Sequence, residues 1–293
     1  MLPTRCMGTL PVVLTVFVLL IVTTATGWAR PSKRTRDIPY LAPNTAGFDP
    51  ERHLLDVYQP RRKSATPRPV VVFIHGGSWN SGSKKIYWFI GRRLAKQGFV
   101  AVIINYRLAP AVEVPAMADD CARAVGWVAS QISAYGGDPS RIYVMGHSAG
   151  GGLAALLASG PTVFTRNGLP TGLVKGAILN DPAGINMYDY LQKMEYPDDR
   201  KFLIPFGKEP AGWQAVSPQY QVQAGAPPML LYTGGRTYPS IIKGTEEFHQ
   251  TLQKLGVQSQ YRVIPGRKHV PMVTGLFWKN NIIYRDLRDL AKP

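Results

Sequence analysis

Cysteines, acidic residues and internal repeats are scarce in this chain of 293 residues. With 2 cysteines it cannot be a small domain held together by several disulfide bonds. No segment repeats itself at the periods that build solenoids or propellers. Because charged residues make up 18% of the chain and hydrophobic residues 45%, the sequence is too apolar for a disordered protein. The composition therefore predicts one globular domain.

The shortage of acidic residues leaves the chain strongly basic. Asp and Glu total 18 against 34 Lys and Arg, which gives a formal net charge of +16. Such an excess favours nucleic acids, anionic polymers or membrane surfaces as partners. The basic residues are spread along the chain, however, and no nucleic-acid motif or stripe of basic and aromatic residues accompanies them. We therefore predict no nucleic-acid partner and interpret the protein as soluble and merely basic.

The first residues of the chain are nearly free of charge. Arg5 is followed by an apolar stretch at residues 10–22, and the next charged residue comes only after Ala29. Gly27 and Ala29 are small residues at the spacing that a signal peptidase requires before the cleaved bond. The pattern predicts a secretory signal peptide at residues 1–29 and an exported protein, either periplasmic or secreted.

An uncleaved membrane anchor is the alternative, because residues 7–29 are long enough to span a bilayer. Basic residues follow this segment at positions 30–36, and such a cluster prefers the cytoplasmic side of a membrane. That distribution argues against an anchor that exports the rest of the chain. We therefore expect cleavage, no stable membrane insertion afterwards, and a basic linker at residues 30–37.

Beyond the linker, short apolar runs alternate with amphipathic segments. Runs that are apolar on both faces are typical of buried strands in a parallel sheet. The predicted strands cover residues 70–74, 99–104, 141–145, 174–179, 229–232 and 260–264. The predicted helices cover residues 86–97, 118–132, 151–159 and 241–255. This alternation predicts one α/β domain over residues 38–293, with a mostly parallel sheet and helices on both faces.

Residues 186–222 interrupt the alternation with aromatic residues, prolines and mixed charges. Such an insertion between two strands fits a small lid over a cleft. The same aromatic residues fit ordinary core packing equally well. The sequence leaves both interpretations open.

Residues 146–150 read Gly-His-Ser-Ala-Gly, directly after a predicted strand and directly before a predicted helix. A nucleophile at such a sharp turn has a strained backbone, and larger residues two positions away would collide with the neighbouring chain. The start of the helix also favours the negative charge that develops in acyl transfer. In this context Ser148 is the predicted nucleophile, and a glycine-rich turn with a capping serine is the alternative.

Residues 75–79 read His-Gly-Gly-Ser-Trp and follow an earlier predicted strand. Consecutive glycines let the backbone approach a tetrahedral oxyanion closely enough for its N–H groups to donate. The predicted oxyanion hole consists of the N–H groups of Gly76, Gly77 and Ala149. The flanking His75 and Trp79 are predicted to contact the substrate. A plain tight turn after a strand is the alternative.

The general base must be one of five histidines: His53, His75, His147, His249 and His269. The first four lie before the core strands, in the two glycine-rich turns or inside a predicted helix, and His147 is expected to point away from the serine. His269 lies in a loop after the last predicted strand, from which it can reach over the nucleophile. The order of serine first and histidine last also fits a hydrolase triad. A solvent-facing loop histidine is the alternative.

Four motifs carry a family resemblance: residues 75–79, Asn-Tyr-Arg-Leu-Ala-Pro at 105–110, Tyr-Gly-Gly-Asp-Pro at 135–139, and Gly-His-Ser-Ala-Gly-Gly at 146–151. With the strand-like residues 54–60, they make residues 38–290 resemble the esterase branch of the α/β-hydrolases. That branch includes hormone-sensitive-lipase-like and bacterial feruloyl-esterase-like proteins. The resemblance implies an eight-stranded sheet, ester hydrolysis through an acyl-serine, and no cofactor.

A third group should orient the histidine and stabilise its charged form. In the family this acid usually follows the strand that corresponds to residues 229–232. Here the loop at residues 233–240 contains no carboxylate, and Thr237 stands at the place of the aspartate. Asp181 is the candidate instead, because it directly follows another predicted strand and lies between serine and histidine in the chain. A turn aspartate before a proline remains an equally open interpretation.

The sequence thus predicts a serine hydrolase of small to medium acyl esters, with Ser148 as nucleophile, His269 as general base and Asp181 as candidate acid. A small-molecule ester is the expected partner, and no metal or cofactor is expected. Because the acid is absent from its usual loop, a catalytically silent binding protein is one alternative. An amidase or formamidase with the same nucleophile is another. The sequence makes no prediction of the oligomeric state.

Overall fold

The computed structural model describes residues 32–62, 64–195 and 198–292. The signal peptide predicted at residues 1–29 lies outside the described residues. Within the described part of the chain, no helix is both long and apolar enough to cross a membrane.

One eight-stranded sheet organises the described residues. Its strands are β1 (Ser32–Pro39), β2 (Leu54–Pro60), β3 (Arg68–Ile74), β4 (Val100–Ile104), β5 (Gly137–Ser148), β6 (Val174–Pro182), β7 (Met229–Gly234) and β8 (Ser259–Ile264). Their order across the sheet is β1-β2-β4-β3-β5-β6-β7-β8. β2 is antiparallel to both β1 and β4, and all other neighbours run parallel. The predicted α/β class and the eight-stranded, mostly parallel sheet are confirmed.

Strand β1 corrects the prediction of a basic linker at residues 30–37, because residues 32–35 pair with β2 and a bulge separates them from the pairs at Ile38 and Pro39. The Arg34 guanidinium lies 2.6 Å from the carboxylate of Asp56, which is fully buried on β2. Lys84 Nζ approaches the same carboxylate to 2.6 Å. A buried acid on the neighbouring strand therefore binds this basic run. The run lacks the apolar alternation by which an edge strand is recognised in a sequence.

The described residues contain eleven α-helices, of which nine lie between strands and two follow β8. They are α1 (Trp88–Lys96), α2 (Val114–Gln131), α3 (Ala149–Ser159), α4 (Thr162–Arg166), α5 (Met187–Lys193), α6 (Leu203–Phe206), α7 (Pro210–Ala215), α8 (Pro218–Gln221), α9 (Pro239–Lys254), α10 (His269–Thr274) and α11 (Ile282–Leu290). Short 3₁₀ turns occur at Ile132–Tyr135, Asp199–Phe202 and Gly275–Phe277.

The helices cover both faces of the sheet, as predicted. On β3, Val70 and Val72 face a core that contains residues of α2, α3 and α9. Val71 and Phe73 alternate with them and face a second core, which contains residues of α1, α10 and α11. Strands buried on both faces bring little polar surface inward, so the polar groups collect at the ends of the strands. The parallel arrangement places the carboxyl ends of β3, β5, β6, β7 and β8 at one edge of the sheet.

The segment predicted as either a lid or core packing contributes to the core and to the wall of a cavity. Residues 186–222 form the short helices α5 to α8 between β6 and β7. Phe206 and Trp213 are buried in the core. Tyr190 and Phe202, from the same segment, line a cavity beside Ser148.

Candidate active site

Ser148 lies at the turn between β5 and α3 with φ 55° and ψ −125°, a backbone conformation that costs energy for a residue with a side chain. The chain passes itself closely on both sides of the serine. A Cβ on Gly146 would lie 2.0 Å from the Gly150 carbonyl oxygen, and one on Gly150 would lie 2.2 Å from the carbonyl oxygen of Ile74. Only glycine fits at either position, which is the physical reason for the motif.

His269 is the first residue of α10, at the same edge of the sheet. Its Nε2 lies 2.8 Å from Ser148 Oγ, so the serine hydroxyl can donate its proton to the imidazole. Ser148 is buried, while 18% of the His269 side chain is exposed. The pair has the separation required for general-base activation of a serine.

Asp181 lies near the end of β6 and is fully buried. Its Oδ2 accepts a hydrogen bond from His269 Nδ1 at 2.6 Å. The Gly234 N–H donates to Asp181 Oδ1 at 2.8 Å, and the Thr237 hydroxyl donates to Oδ2 at 2.5 Å. Of the two interpretations left open by the sequence, the structure therefore brings Asp181 to the histidine. Thr237 supports this carboxylate, and its own oxygen lies farther from His269 Nδ1, at 3.5 Å.

The glycine turn after β3 lies against the serine. A Cβ on Gly76 would lie 3.1 Å from Ser148 Cβ and 2.8 Å from the carbonyl oxygen of His147. Among the described residues, no protein group accepts from the N–H of Gly77. Burial raises the pKa of Tyr87, and the Gly76 N–H beside its hydroxyl opposes that rise. Ala149 opens α3, so its N–H has no acceptor within the helix. Of the three predicted oxyanion-hole residues, Gly76 and Ala149 are thus adjacent to the serine, and the N–H groups of Gly77 and Ala149 have no helical or turn partner.

A cavity of about 540 Å³ opens above these residues. Ser148 and His269 form part of its wall. Its aromatic lining is Trp79, Tyr190, Phe202 and Tyr238, and its polar lining includes Ser78, Asn186, Asp198, Asp199, Lys201 and Ser240. The predicted contact residue Trp79 lines this cavity, with its ring edge-on to Phe206 at 4.8 Å. The arrangement can hold a small molecule with one apolar part against the nucleophile.

The BD-FAE family model matches residues 55–252, which is more than half of the chain. The chain belongs to the BD-FAE family. This result and the relatives below confirm the resemblance to the esterase branch of the α/β-hydrolases.

Two curated relatives of this BD-FAE-family chain are esterases by name. Esterase LipC of Mycobacterium tuberculosis is 31% identical over 238 residues, which cover 76% of this chain and 58% of LipC. A probable isoprenylcysteine alpha-carbonyl methylesterase of Arabidopsis thaliana is 27% identical over 247 residues, which cover 80% of this chain and 52% of that protein. The chain therefore spans just over half the length of these relatives.

Solved structures share the fold. An esterase of Pyrobaculum calidifontis superposes with a TM-score of 0.68 at 27% identity, covering 81% of this chain and 80% of the other. Esterase B of Lactobacillus rhamnosis gives a TM-score of 0.76 at 22% identity, covering 89% of this chain and 85% of the other. The second likeness is one of fold alone.

His147 is a residue of this BD-FAE-family site that the sequence analysis did not identify. As expected, no hydrogen bond joins it to Ser148, but its ring packs 4.7 Å from that of His269. Its Nε2–H donates to the His269 carbonyl oxygen at 3.1 Å. Burial, reinforced by the neighbouring His269, lowers the pKa of His147 to about 3, so the ring stays neutral. The signal was present in the motif, since His147 directly precedes the nucleophile on β5.

His75 is a correction to the predicted substrate contacts. Its imidazole is fully buried and stacks between Tyr106, at 4.5 Å, and Tyr87, at 6.1 Å. Burial lowers its pKa to about 4, and it is not among the residues that line the cavity. The first residue of the glycine turn continues the strand pattern and points into the protein. A substrate cannot reach it.

The Asn-Tyr-Arg-Leu-Ala-Pro motif also has a structural role in this family member. Arg107 binds the buried carboxylate of Asp120 through its guanidinium at 2.7 Å. His53 Nε2 lies 3.1 Å from the same carboxylate. Its partners hold the pKa of Asp120 below the usual value despite burial, which raises it. His53 is therefore engaged away from the serine.

Among the residues that the structure describes, one cluster offers three candidate metal ligands within 4.8 Å: His147, Asp181 and His269. Both ring nitrogens of His269 and both oxygens of Asp181 are already engaged in the hydrogen bonds given above. The donor set is therefore arranged for proton transfer to and from Ser148.

Proposed function

We propose that this protein is a serine carboxylic-ester hydrolase that acts on small to medium acyl esters through an acyl-serine intermediate. The observation that carries the proposal is the hydrogen-bonded series Ser148–His269–Asp181, with separations of 2.8 Å and 2.6 Å, at the wall of a cavity. A strained serine, a histidine within reach and a buried orienting carboxylate are the parts that activate a hydroxyl for attack on a carbonyl carbon.

In the first half of the reaction Ser148 Oγ attacks the ester carbonyl while His269 Nε2 takes the serine proton. Asp181 accepts from Nδ1, which fixes the tautomer and stabilises the imidazolium that forms. The carbonyl oxygen becomes an oxyanion and accepts from the N–H groups of Gly76, Gly77 and Ala149. The tetrahedral species collapses, the alcohol leaves with the proton from His269, and the acyl group stays on the serine.

In the second half a water molecule replaces the alcohol. His269 takes a proton from the water, whose oxygen attacks the acyl carbon. The same N–H groups stabilise the second oxyanion. Collapse releases the carboxylic acid and returns the proton to Ser148 Oγ. Atoms and protons balance without a cofactor.

The cavity supports small to medium substrates. A volume of about 540 Å³ lies within the range of small-molecule pockets. Trp79, Tyr190, Phe202 and Tyr238 give it apolar walls, and the named activities of the curated relatives include methyl-ester hydrolysis. An aryl or acetylated-sugar ester remains the narrower expectation from the family resemblance.

The alternatives from the sequence are weaker beside this geometry. The case for a catalytically silent binding protein began from the missing carboxylate after β7, and Asp181 supplies a carboxylate to His269 from β6. An amidase or formamidase would use the same residues. No contact of the described residues favours that bond type.

Export is part of the proposal, on the strength of the pattern at residues 1–29. N-terminal sequencing of the protein recovered from an expressing bacterium should begin at Arg30. A mature chain that still begins at Met1 and sediments with membranes would instead support the anchor.

Covalent labelling tests the nucleophile. The protein incubated with a fluorophosphonate should gain one phosphonyl group on Ser148, located by peptide mass spectrometry. Ser148→Ala should remain unlabelled. Ser240→Ala is the matched control, because this serine lines the same cavity and is exposed, and it should label fully. A folded protein that takes up no label, or takes it up elsewhere, would overturn the proposal.

A further inference from the structure

A continuous row of aromatic rings lies on the surface outside the active site. Neighbouring ring centroids lie 6.3 Å apart for Trp88 and Phe89, 6.2 Å for Phe89 and Phe277, and 5.5 Å for Phe277 and Trp278. Three of these side chains are well exposed: Trp88 by 40%, Phe277 by 47% and Trp278 by 66%. Ile86, just before α1, is 60% exposed. We call Ile86, Trp88, Phe89, Phe277 and Trp278 the aromatic row.

The two segments that form the row are fastened to each other. The Arg93 guanidinium donates to the Phe277 carbonyl oxygen at 2.5 Å, and Gln97 Nε2 donates to that of Lys279 at 3.1 Å. Behind them, α1, α10 and α11 share one buried core. The exposed rings therefore stand on a rigid support, and their exposure is a property of the packed fold.

Cations flank the row, and neither of the two segments that form it contains a carboxylate. The guanidinium of Arg92 lies 5.4 Å from the Trp88 ring centre, and that of Arg93 lies 5.8 Å from the Phe277 ring centre. Lys85, Lys96 and Lys279 add exposed ammonium groups from the same segments.

The acidic residues of the chain avoid both segments. No Asp or Glu occurs between Asp56 and Glu113 or between Glu247 and Asp286. On the neighbouring α11, Asp286 is buried against Arg262, and Asp289 lies 2.7 Å from Lys292. Asp37, which is exposed on β1, is paired with Lys84 and also lies near Lys85. The row thus presents apolar rings beside an excess of cations.

We propose that the aromatic row and its cations attach the folded domain to anionic lipid bilayers. Tryptophan and phenylalanine rings insert at the boundary between headgroups and acyl chains, while lysine and arginine reach the phosphates. Each basic residue near an anionic surface adds attraction that salt weakens. The excess of cations over carboxylates matches a negative surface. Exposed Ile86, an aliphatic side chain on which bases do not stack, matches the apolar layer beneath it. This inference does not depend on the proposed hydrolase activity.

The test uses the chain that begins at Arg30, because residues 10–22 are apolar enough to bind lipid by themselves. All eight strands and both cores follow Arg30, so this chain contains the complete domain. Binding is measured by sedimentation with vesicles of phosphatidylglycerol and phosphatidylcholine. A second set of vesicles carries brominated acyl chains, which quench tryptophans that insert.

We expect binding to anionic vesicles, weakening with salt, and quenching by the brominated chains. Trp88→Ser/Trp278→Ser should lower the partition coefficient at least about tenfold and remove most of the quenching. Arg92→Gln/Lys279→Gln should also lower it about tenfold or more. The control Tyr220→Ser/Val263→Ser removes side chains that are 41% and 47% exposed elsewhere, and it should bind like the parent. Circular dichroism checks that each variant is folded.

Several results would overturn the proposal. One is a folded parent chain that stays in the supernatant with anionic vesicles. Another is binding that Arg92→Gln/Lys279→Gln loses and Trp88→Ser/Trp278→Ser keeps, with no quenching by the brominated chains. That pattern would indicate adsorption by charge alone. Binding to an anionic polysaccharide such as polygalacturonate but not to vesicles would assign the row to that polymer. A concentration-dependent dimer that the tryptophan variant abolishes would assign it to a second copy of the chain.

Discussion

Asp181 Oδ2 and His269 Nδ1 lie 2.6 Å apart, although the family resemblance led us to expect the acid after the next strand, β7. The ends of β6 and β7 are neighbours in a parallel sheet, so either strand can deliver a carboxylate to the same point. In this protein β6 delivers it. The loop after β7 supplies Thr237, whose hydroxyl donates to that carboxylate.

An acid placed at position 237 should take over from Asp181 in part. Thr237 Oγ1 is already 3.5 Å from His269 Nδ1, and aspartate carries its oxygens one bond farther. In the Asp181→Asn background, Thr237→Asp should raise kcat at least about tenfold, because it restores a negative charge next to the imidazolium. Steady-state hydrolysis of p-nitrophenyl butyrate measures this.

The matched control is Asp181→Asn with Thr237→Asn, which has similar shape and no charge. It should stay at the rate of Asp181→Asn alone. Equal rates for the two double variants would mean that a carboxylate at position 237 does not stabilise the imidazolium of His269.

Gly76→Ala should lower kcat by about 10² to 10³ with the fold intact. The added methyl would lie 2.8 Å from the His147 carbonyl oxygen, so the turn has to shift and its N–H groups leave the oxyanion. Gly212→Ala, where the methyl meets nothing within 4 Å, is the control and should keep the parent rate. A Gly76→Ala enzyme with parent kcat would remove this turn from the oxyanion hole.

His147 is expected to act as a positioning residue, through its hydrogen bond to the backbone of His269. His147→Phe keeps a ring but loses the donor, and it should lower kcat about five- to tenfold with little change in KM, the effect of one hydrogen bond. His147→Gln retains a donor and should recover most of the rate. A loss of activity that comes from a higher KM, or a His147→Gln variant as slow as His147→Phe, would indicate a different role.

Stability should fall as the pH drops from 6.5 to 5, because His75 and His147 are held neutral in the fold. Burial lowers their pKa values to about 4 and about 3, against 6.5 for an unperturbed histidine. In this window the unfolded chain binds protons that the folded chain does not, so protonation favours unfolding. The loss at pH 5 should be on the order of 2 kcal/mol for each histidine.

Urea unfolding at several pH values measures this slope. Between pH 5 and 6.5, unfolding of the His147→Gln variant should take up about one proton per molecule fewer than unfolding of the parent. An unchanged slope in that variant would contradict a neutral His147 in the folded protein.

Much of the fold could be predicted, since buried strands carry their signal in consecutive apolar residues such as Val70 to Ile74. Ser148, Gly76 and Gly77 could be identified because close backbone approach leaves glycine as the only residue that fits. Strand β1 could not be recognised, because it is basic and its Arg34 is paired by Asp56, an acid distant in the chain.

The remaining failures concern where side chains point. His75 continues the strand pattern and enters the core, whereas a motif alone does not give its direction. The aromatic row could not be predicted from the sequence for a related reason. Trp88 and Trp278 come from distant segments, and only the packing of α1 against the 3₁₀ turn at Gly275–Phe277 unites them.

Hydrolysis of p-nitrophenyl acetate and butyrate by the chain from Arg30 tests the central claim, that Ser148, His269 and Asp181 act as one unit. The parent should turn over, Ser148→Ala should fall to background, and Asp181→Asn should lose about 10⁴ in kcat while circular dichroism shows both variants folded. Full activity in Asp181→Asn would contradict the assignment of the acid. A folded parent no faster than Ser148→Ala would contradict ester hydrolysis itself.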